Sequence, residues 1–306
     1  VTAMVNYTQM SATWPMVAAT AFRALATIWV TAPNYLSGAA SATSSHASHG
    51  ATALEAALAA LKVATTLRTS PSNRATAILL RRASLTYFSH ALTDVRRRKQ
   101  VLGMGLPGLC ANMMELPENV LIDTWLLCRV LLHCVFAPNA QHIFRNSGLL
   151  SGLLRVWQGL LTQISELPVQ QTQIPLLGES SSGSRSSGVE QITLMGKLLT
   201  AIARMCAVLS VDEQNRERFL VEHALAHCFR TIRWVHSAWL RESASKSKKE
   251  ESGSGGSDGW KLLEREEDYL LVLKDMLGMV LNMSLRGTTL TRGHHRKTFR
   301  GYMMDA

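Results

Sequence analysis

Between Ile192 and Leu209 the apolar side chains Ile192, Met195, Leu199, Ile202, Cys206 and Leu209 recur in alternating steps of three and four. That spacing places all six on one face of an α-helix. Leu225, Cys228, Ile232, Val235 and Trp239 repeat the pattern in the next segment, with His223, His227 and Arg230 directed elsewhere. Further upstream, Trp14-Pro15 opens a helix over Met16 to Val30, which the Ala32-Pro33-Asn34 breaker ends. Leu54, Ala57, Leu61 and Leu67 share a stripe in the helical pattern of Ala51 to Arg68, which Ser70-Pro71-Ser72 interrupts. Asn73 to Lys99 predicts one or two helices, and Gly103 to Pro117 reads as a loop rich in Gly and Pro. Val120 to Phe136 is the most apolar run, but Asp123, Arg129 and His133 within it are costly in hydrocarbon, so it predicts a buried helix and no insertion into a membrane.

Two stretches break this periodicity. Gly178 to Gly188 and Ala244 to Gly259 are dominated by Ser, Gly and charged residues and lack the apolar area that offsets ordering entropy. Disordered, flexible insertions near 168–190 and 242–260 are expected. Residues 1–50, rich in Ala, Ser and Thr, are expected to form a poorly ordered extension carrying one helix, ahead of a helical domain over 51–306.

With the insertions set aside, a unit recurs: a long apolar helix, a polar turn, a short helix, a tight break and another apolar helix. Leu126 to Phe136, Ala137-Pro138-Asn139, Ala140 to Arg145, Asn146-Ser147-Gly148 and Leu149 to Leu161 make one such unit. Ile202 to Leu209, Ser210-Val211-Asp212, Gln214 to Val221 and His223 to Leu240 make another. Tyr269 to Leu285 and the basic segment ending at Phe299 read as the opening of a third.

The stretch Asn139 to Leu154 (NAQHIFRNSGLLSGLL) resembles the short first helix, glycine turn and second helix of an armadillo repeat, and Leu277 to Ser284 (LGMVLNMS) is similar to its third helix. The resemblance implies an all-α, armadillo-type α-solenoid, a right-handed superhelix whose repeats bury their apolar faces against one another. It further implies a concave groove lined by third helices, on which Arg129, His133, Lys197, Arg204, Lys274 and Asn282 are the candidate contact residues. The regular ladder of Trp and Asn used by importin-like members is absent, with Gly278 standing where the Trp would fall.

The charge distribution adds to this picture. The net charge is +10, and nine Lys or Arg face two carboxylates between Ala51 and Cys110, including the run Arg96, Arg97, Arg98 and Lys99. Such a flank attracts acidic peptides, nucleic acid or membrane surfaces. Arg81, Arg82 and Arg96 to Lys99, with Tyr87 and Phe88 near them, support nucleic-acid binding as the alternative to a protein-binding scaffold. The Val1 start also leaves room for a structural segment of a longer chain or of a larger cytoskeletal, ciliary or transport assembly.

Little in the sequence suggests chemistry. Gly103 to Gly108 matches G-x-G-x-x-G, but no strand precedes it and Pro107 sits inside it. His223 and His227 are four apart, yet Ala224 stands where a zinc protease needs its glutamate base. No serine-histidine-aspartate order, carboxylate pair or phosphate-binding loop is evident, so neither catalysis nor a cofactor or metal is expected. Five cysteines, mostly inside apolar helical patterns, suit buried thiols in a reducing, intracellular compartment. The cytoplasm is the default, with nucleus, cilium and mitochondrion left open.

Overall fold

The structure, a computed structural model, describes residues 2–32, 46–68, 71–116, 120–171, 182–252, 263 and 265–285. These form thirteen α-helices: α1 (Thr2–Thr8), α2 (Pro15–Thr31), α3 (His46–Leu67), α4 (Arg74–Ala91), α5 (Val95–Gly103), α6 (Leu106–Met114), α7 (Leu121–Cys134), α8 (Ala140–Asn146), α9 (Leu149–Gln171), α10 (Ser182–Leu209), α11 (Glu213–Val221), α12 (Ala224–Ser252) and α13 (Glu266–Leu285). A 3-10 turn, Pro71–Asn73, precedes α4, and no strand occurs among the described residues. The all-α class expected from the periodicity therefore holds. The chain divides into two compact units, Val1–Leu149 and Leu150–Ala306, where a single domain over 51–306 was expected.

In the first unit α4 is the hub, with α2, α3 and α7 packed on it. Small side chains on α2 and α3, among them Ala18, Ala19, Ala53, Ala57 and Ala60, are buried and let the helix axes come close. Phe22, Leu25, Leu54, Leu61, Leu80, Tyr87 and Phe88 fill the space between them, each fully buried. The Phe22 and Tyr87 rings meet at 5.7 Å between centroids, a tilted pair that adds to the area they bury.

Two expectations for this unit need correction. Of the extension with one helix expected over residues 1–50, the described residues 2–31 form two helices, and α1 packs on α2 and α3. Arg23 is the only charged side chain of these residues, which suits helices enclosed by neighbours. Gly103 to Pro117 is likewise no loop, because α6 lies inside it. Gly105, at φ 81°, takes the left-handed backbone that turns α5 into α6, and Pro107 falls in the first turn, where a missing N–H costs nothing.

In the second unit α10 and α12 pack on α13, with α11 beside them. All six residues of the Ile192 to Leu209 stripe are buried. Trp157 on α9 donates from Nε1 to Thr231 Oγ1 on α12 at 3.0 Å, and Ser151 donates to Glu222 Oε1 at 2.7 Å. The expected insertions lie partly outside the described residues, at 172–181 and 253–262, while α9 continues to Gln171, α10 starts at Ser182 and α12 continues to Ser252. No Gly or Pro interrupts α12 before Gly253, which is why its helical backbone runs on past the apolar stripe. One stretch among the described residues, Glu190–Leu209, is long and apolar enough to cross a bilayer, and most of it is buried against other helices.

Candidate functional site: a cationic cluster in the first unit

Arg98 lies in α5, one of four consecutive cations, and its neighbours are sorted by the helix. Asp94 caps α5 by accepting a hydrogen bond from the Arg96 N–H at 3.0 Å. Arg97 then turns inward: it is buried, its guanidinium lies 4.8 Å from the Trp29 ring centroid, and its Nε approaches Asp94 at 3.5 Å. Arg98 folds back over the end of α4, donating from Nε to Leu92 O at 2.8 Å and from Nη2 to Thr93 O at 3.1 Å. Those carbonyls are left without intrahelical donors where α4 ends, so a guanidinium there is doubly favoured. Arg96 and Lys99 are exposed. The run expected to act as one basic flank is thus two structural arginines and two surface cations.

The bonds that fix Arg98 also bring it to a second set of charges. α7 packs against both α4 and α5, and it presents Arg129 and His133 four residues apart on one face. After burial, the groups that act on His133 are Arg98, Arg129 and the His90 imidazole. Burial and then those groups bring the His133 imidazole down to about 4, so it is neutral at pH 7. His90, in the last turn of α4, is lowered by burial and then by Arg129. Arg98, Arg129, His90 and His133 are all half-buried, and among the described residues Arg129 has no hydrogen-bond or ion-pair partner. Leu132 is half-buried and Phe136, 47% exposed, follows just past the end of α7.

Three of the residues singled out in the sequence, Arg98, Arg129 and His133, therefore come together, and His90 joins them unforeseen. No sequence signal singled it out, because His90 lies inside the helical stretch Asn73 to Lys99 and only the end of α4 at Ala91 puts it in a last turn.

Other candidates have structural roles. Arg204 on α10 donates to Asp275 Oδ1 on α13 at 2.8 Å, and Asn282 Nδ2 donates to Ser210 Oγ at 3.0 Å, so both staple α13 in place. Lys197 and Lys274 are exposed on the second unit. Arg81 and Arg82, expected to face nucleic acid, both turn to the buried carboxylate of Asp123 on α7. Arg82 contacts it bidentately at 2.7 and 3.0 Å, and Arg81 lies at 3.3 Å. Tyr87 and Phe88 are core residues with no ring face open for a base.

His223 adopts φ 58° ahead of α12, so it does not share a helix face with His227, as a site on both would need. All five cysteines are buried and unpaired with one another. Burial pushes the Cys128 and Cys134 thiols up to about 12, which keeps them protonated and unreactive. Comparison with family models, with curated proteins and with solved structures finds no match to this chain.

Proposed function

We propose that this chain is a non-catalytic scaffold of the armadillo-like α-solenoid type, which binds an acidic segment of a partner protein at the His90, Arg98, Arg129 and His133 cluster. The observation that carries the reading is Arg129: a half-buried guanidinium without a hydrogen-bond or ion-pair partner among the described residues, close enough to His90 and His133 to lower both imidazoles. Uncompensated cations are costly to keep together unless an anion completes the set. The armadillo assignment is supported by the helix, turn, short helix and glycine-break order around Ala140–Asn146 and by the same order, with His223 in place of glycine, around Glu213–Val221. A protein ligand is favoured over nucleic acid because Arg81, Arg82 and Arg97 are occupied within the fold and the neighbouring aromatic rings are buried.

The test is affinity capture from the native cell, with and without nuclease, comparing wild type with Arg129→Glu. The reading expects partners that survive nuclease, are lost in the variant, and bind through a segment rich in Asp or Glu. Partners released by nuclease from both forms would refute it in favour of nucleic-acid binding.

A further inference from the structure

The ends of α3 and α6 and the start of α4 border a narrow cleft in the first unit, about 270 Å³ of empty space including its open mouth. Three arginines line it: Arg68, just past the end of α3, and Arg74 and Arg81 on α4. Arg74 and Arg81 stand two helical turns apart on one face of α4, with Ala77 and Ile78 between them. Met113 closes the α6 side, and among the described residues no carboxylate lines the cleft.

The three arginines differ in depth. Arg74 is exposed, Arg68 is half-buried and Arg81 is only 5% exposed, which puts Arg81 at the deep end. Asp123 reaches Arg81 through Nη2 alone, at 3.3 Å, because both of its oxygens already accept from Arg82 at 2.7 and 3.0 Å. Arg81 Nε is buried and has no hydrogen-bond partner. A charged donor left dry in this way has lost the hydration it had in the unfolded chain, and an acceptor in the cleft would replace it. The N-terminus of α4 adds to the demand for negative charge. Asn73 makes no side-chain cap there, and the first helical turn borders the cleft through Arg74 and Ala77.

We propose that this cleft is a binding site for a phosphate group, one oxygen of which accepts from Arg81 Nε while the others meet Arg74 and Arg68 at the mouth. The closed floor has room for about one water-sized group, so it admits a single oxygen and leaves the remaining atoms outside. A phosphate suits the site better than a carboxylate. It carries a charge of about −1.5 to −2 at neutral pH and spreads its oxygens in three directions, toward guanidinium groups that arrive from separate positions. None of His90, Arg98, Arg129 and His133 lines the cleft, so this site and the acidic-segment site stand or fall separately.

The test is a calorimetric titration of the full chain, at neutral pH and constant ionic strength, with inorganic phosphate, phenyl phosphate and acetate. One saturable phosphate site is expected, with acetate at least about tenfold weaker. Arg74→Gln, at an exposed position, should weaken phosphate binding about tenfold. Lys99→Gln, the same charge change on an exposed residue of α5, should leave it unchanged. Arg81→Lys keeps a positive charge near Asp123 but removes Nε, and should lose the phosphate. Should that variant unfold, the Arg81 Nε–H signal of the wild type, followed by NMR, is expected to shift with phosphate and not with acetate. Phenyl phosphate bound as tightly as phosphate would support the site with a monoester as its ligand, and binding of inorganic phosphate alone would support it with the free ion. Absence of saturable binding, acetate equal to phosphate, an Arg81 signal indifferent to phosphate, or equal loss in Arg74→Gln and Lys99→Gln would overturn it.

Discussion

Asp123 is the residue on which the first unit's electrostatics turn. Burial by itself would raise its carboxyl, but the hydrogen bonds from Arg82 and the charges of Arg81 and Arg82 outweigh burial and hold it below the usual carboxylate range. Asp123→Ala would strand two guanidinium groups, one of them buried, and is expected to cost about 3–5 kcal/mol in chemical denaturation. A neutral effect would mean that the arginines find water instead. His133 responds to acid in the same direction by another route. Its folded value of about 4 lies below the 6.5 of the free side chain, so the unfolded chain binds more protons between those values. Stability present above pH 6.5 is lost as pH falls toward 4, and Asp123 adds a further loss below that. Denaturation midpoints measured from pH 7 to 4 should fall in the wild type and fall less in His133→Gln. At this scale the cations of the site were legible in the sequence, but their roles were not. Nothing in the order Arg96, Arg97, Arg98, Lys99 says that the second stacks on Trp29 and the third caps α4, because both partners come from other elements.

Among the elements, those with the sharpest periodicity and the clearest breaks were readable. α8 and α11 fall where the turn residues placed them, and Gly148, at φ 77°, ends α8 as the Asn-Ser-Gly break implied. Gly148→Ala puts a Cβ in left-handed backbone and should cost about 1–2 kcal/mol, measurable as a lowered thermal midpoint. The elements that were missed, α1 and α6, lack a polar face or carry Gly and Pro at their entrances, and only packing decides whether such segments order. Phe22→Ala tests that packing: losing a fully buried ring between α2 and α4 should cost about 3–5 kcal/mol, whereas a mobile extension would tolerate it. In the second unit Ile202→Asp drives an unpaired charge into the α10 stripe, where Ile202 is fully buried, and should abolish cooperative unfolding seen by circular dichroism.

For the molecule as a whole, a net charge of +10 guarantees that polyanions approach it, so binding of an acidic ligand alone says little. What distinguishes a site from a charged surface is dependence on one convergent set of side chains contributed by α4, α5 and α7. That convergence was invisible in the sequence, where His90 and His133 stand 43 residues apart and only the packing of α7 on α4 and α5 joins them. The most direct test of the central claim is a competition measured by fluorescence anisotropy at physiological salt, with a Glu-rich, Leu-flanked peptide against single-stranded RNA of equal charge, on wild type and Arg129→Gln. The account predicts that the peptide binds the wild type more tightly than the RNA does and loses that advantage in the variant. Tighter binding of RNA, with both ligands indifferent to Arg129, would contradict it.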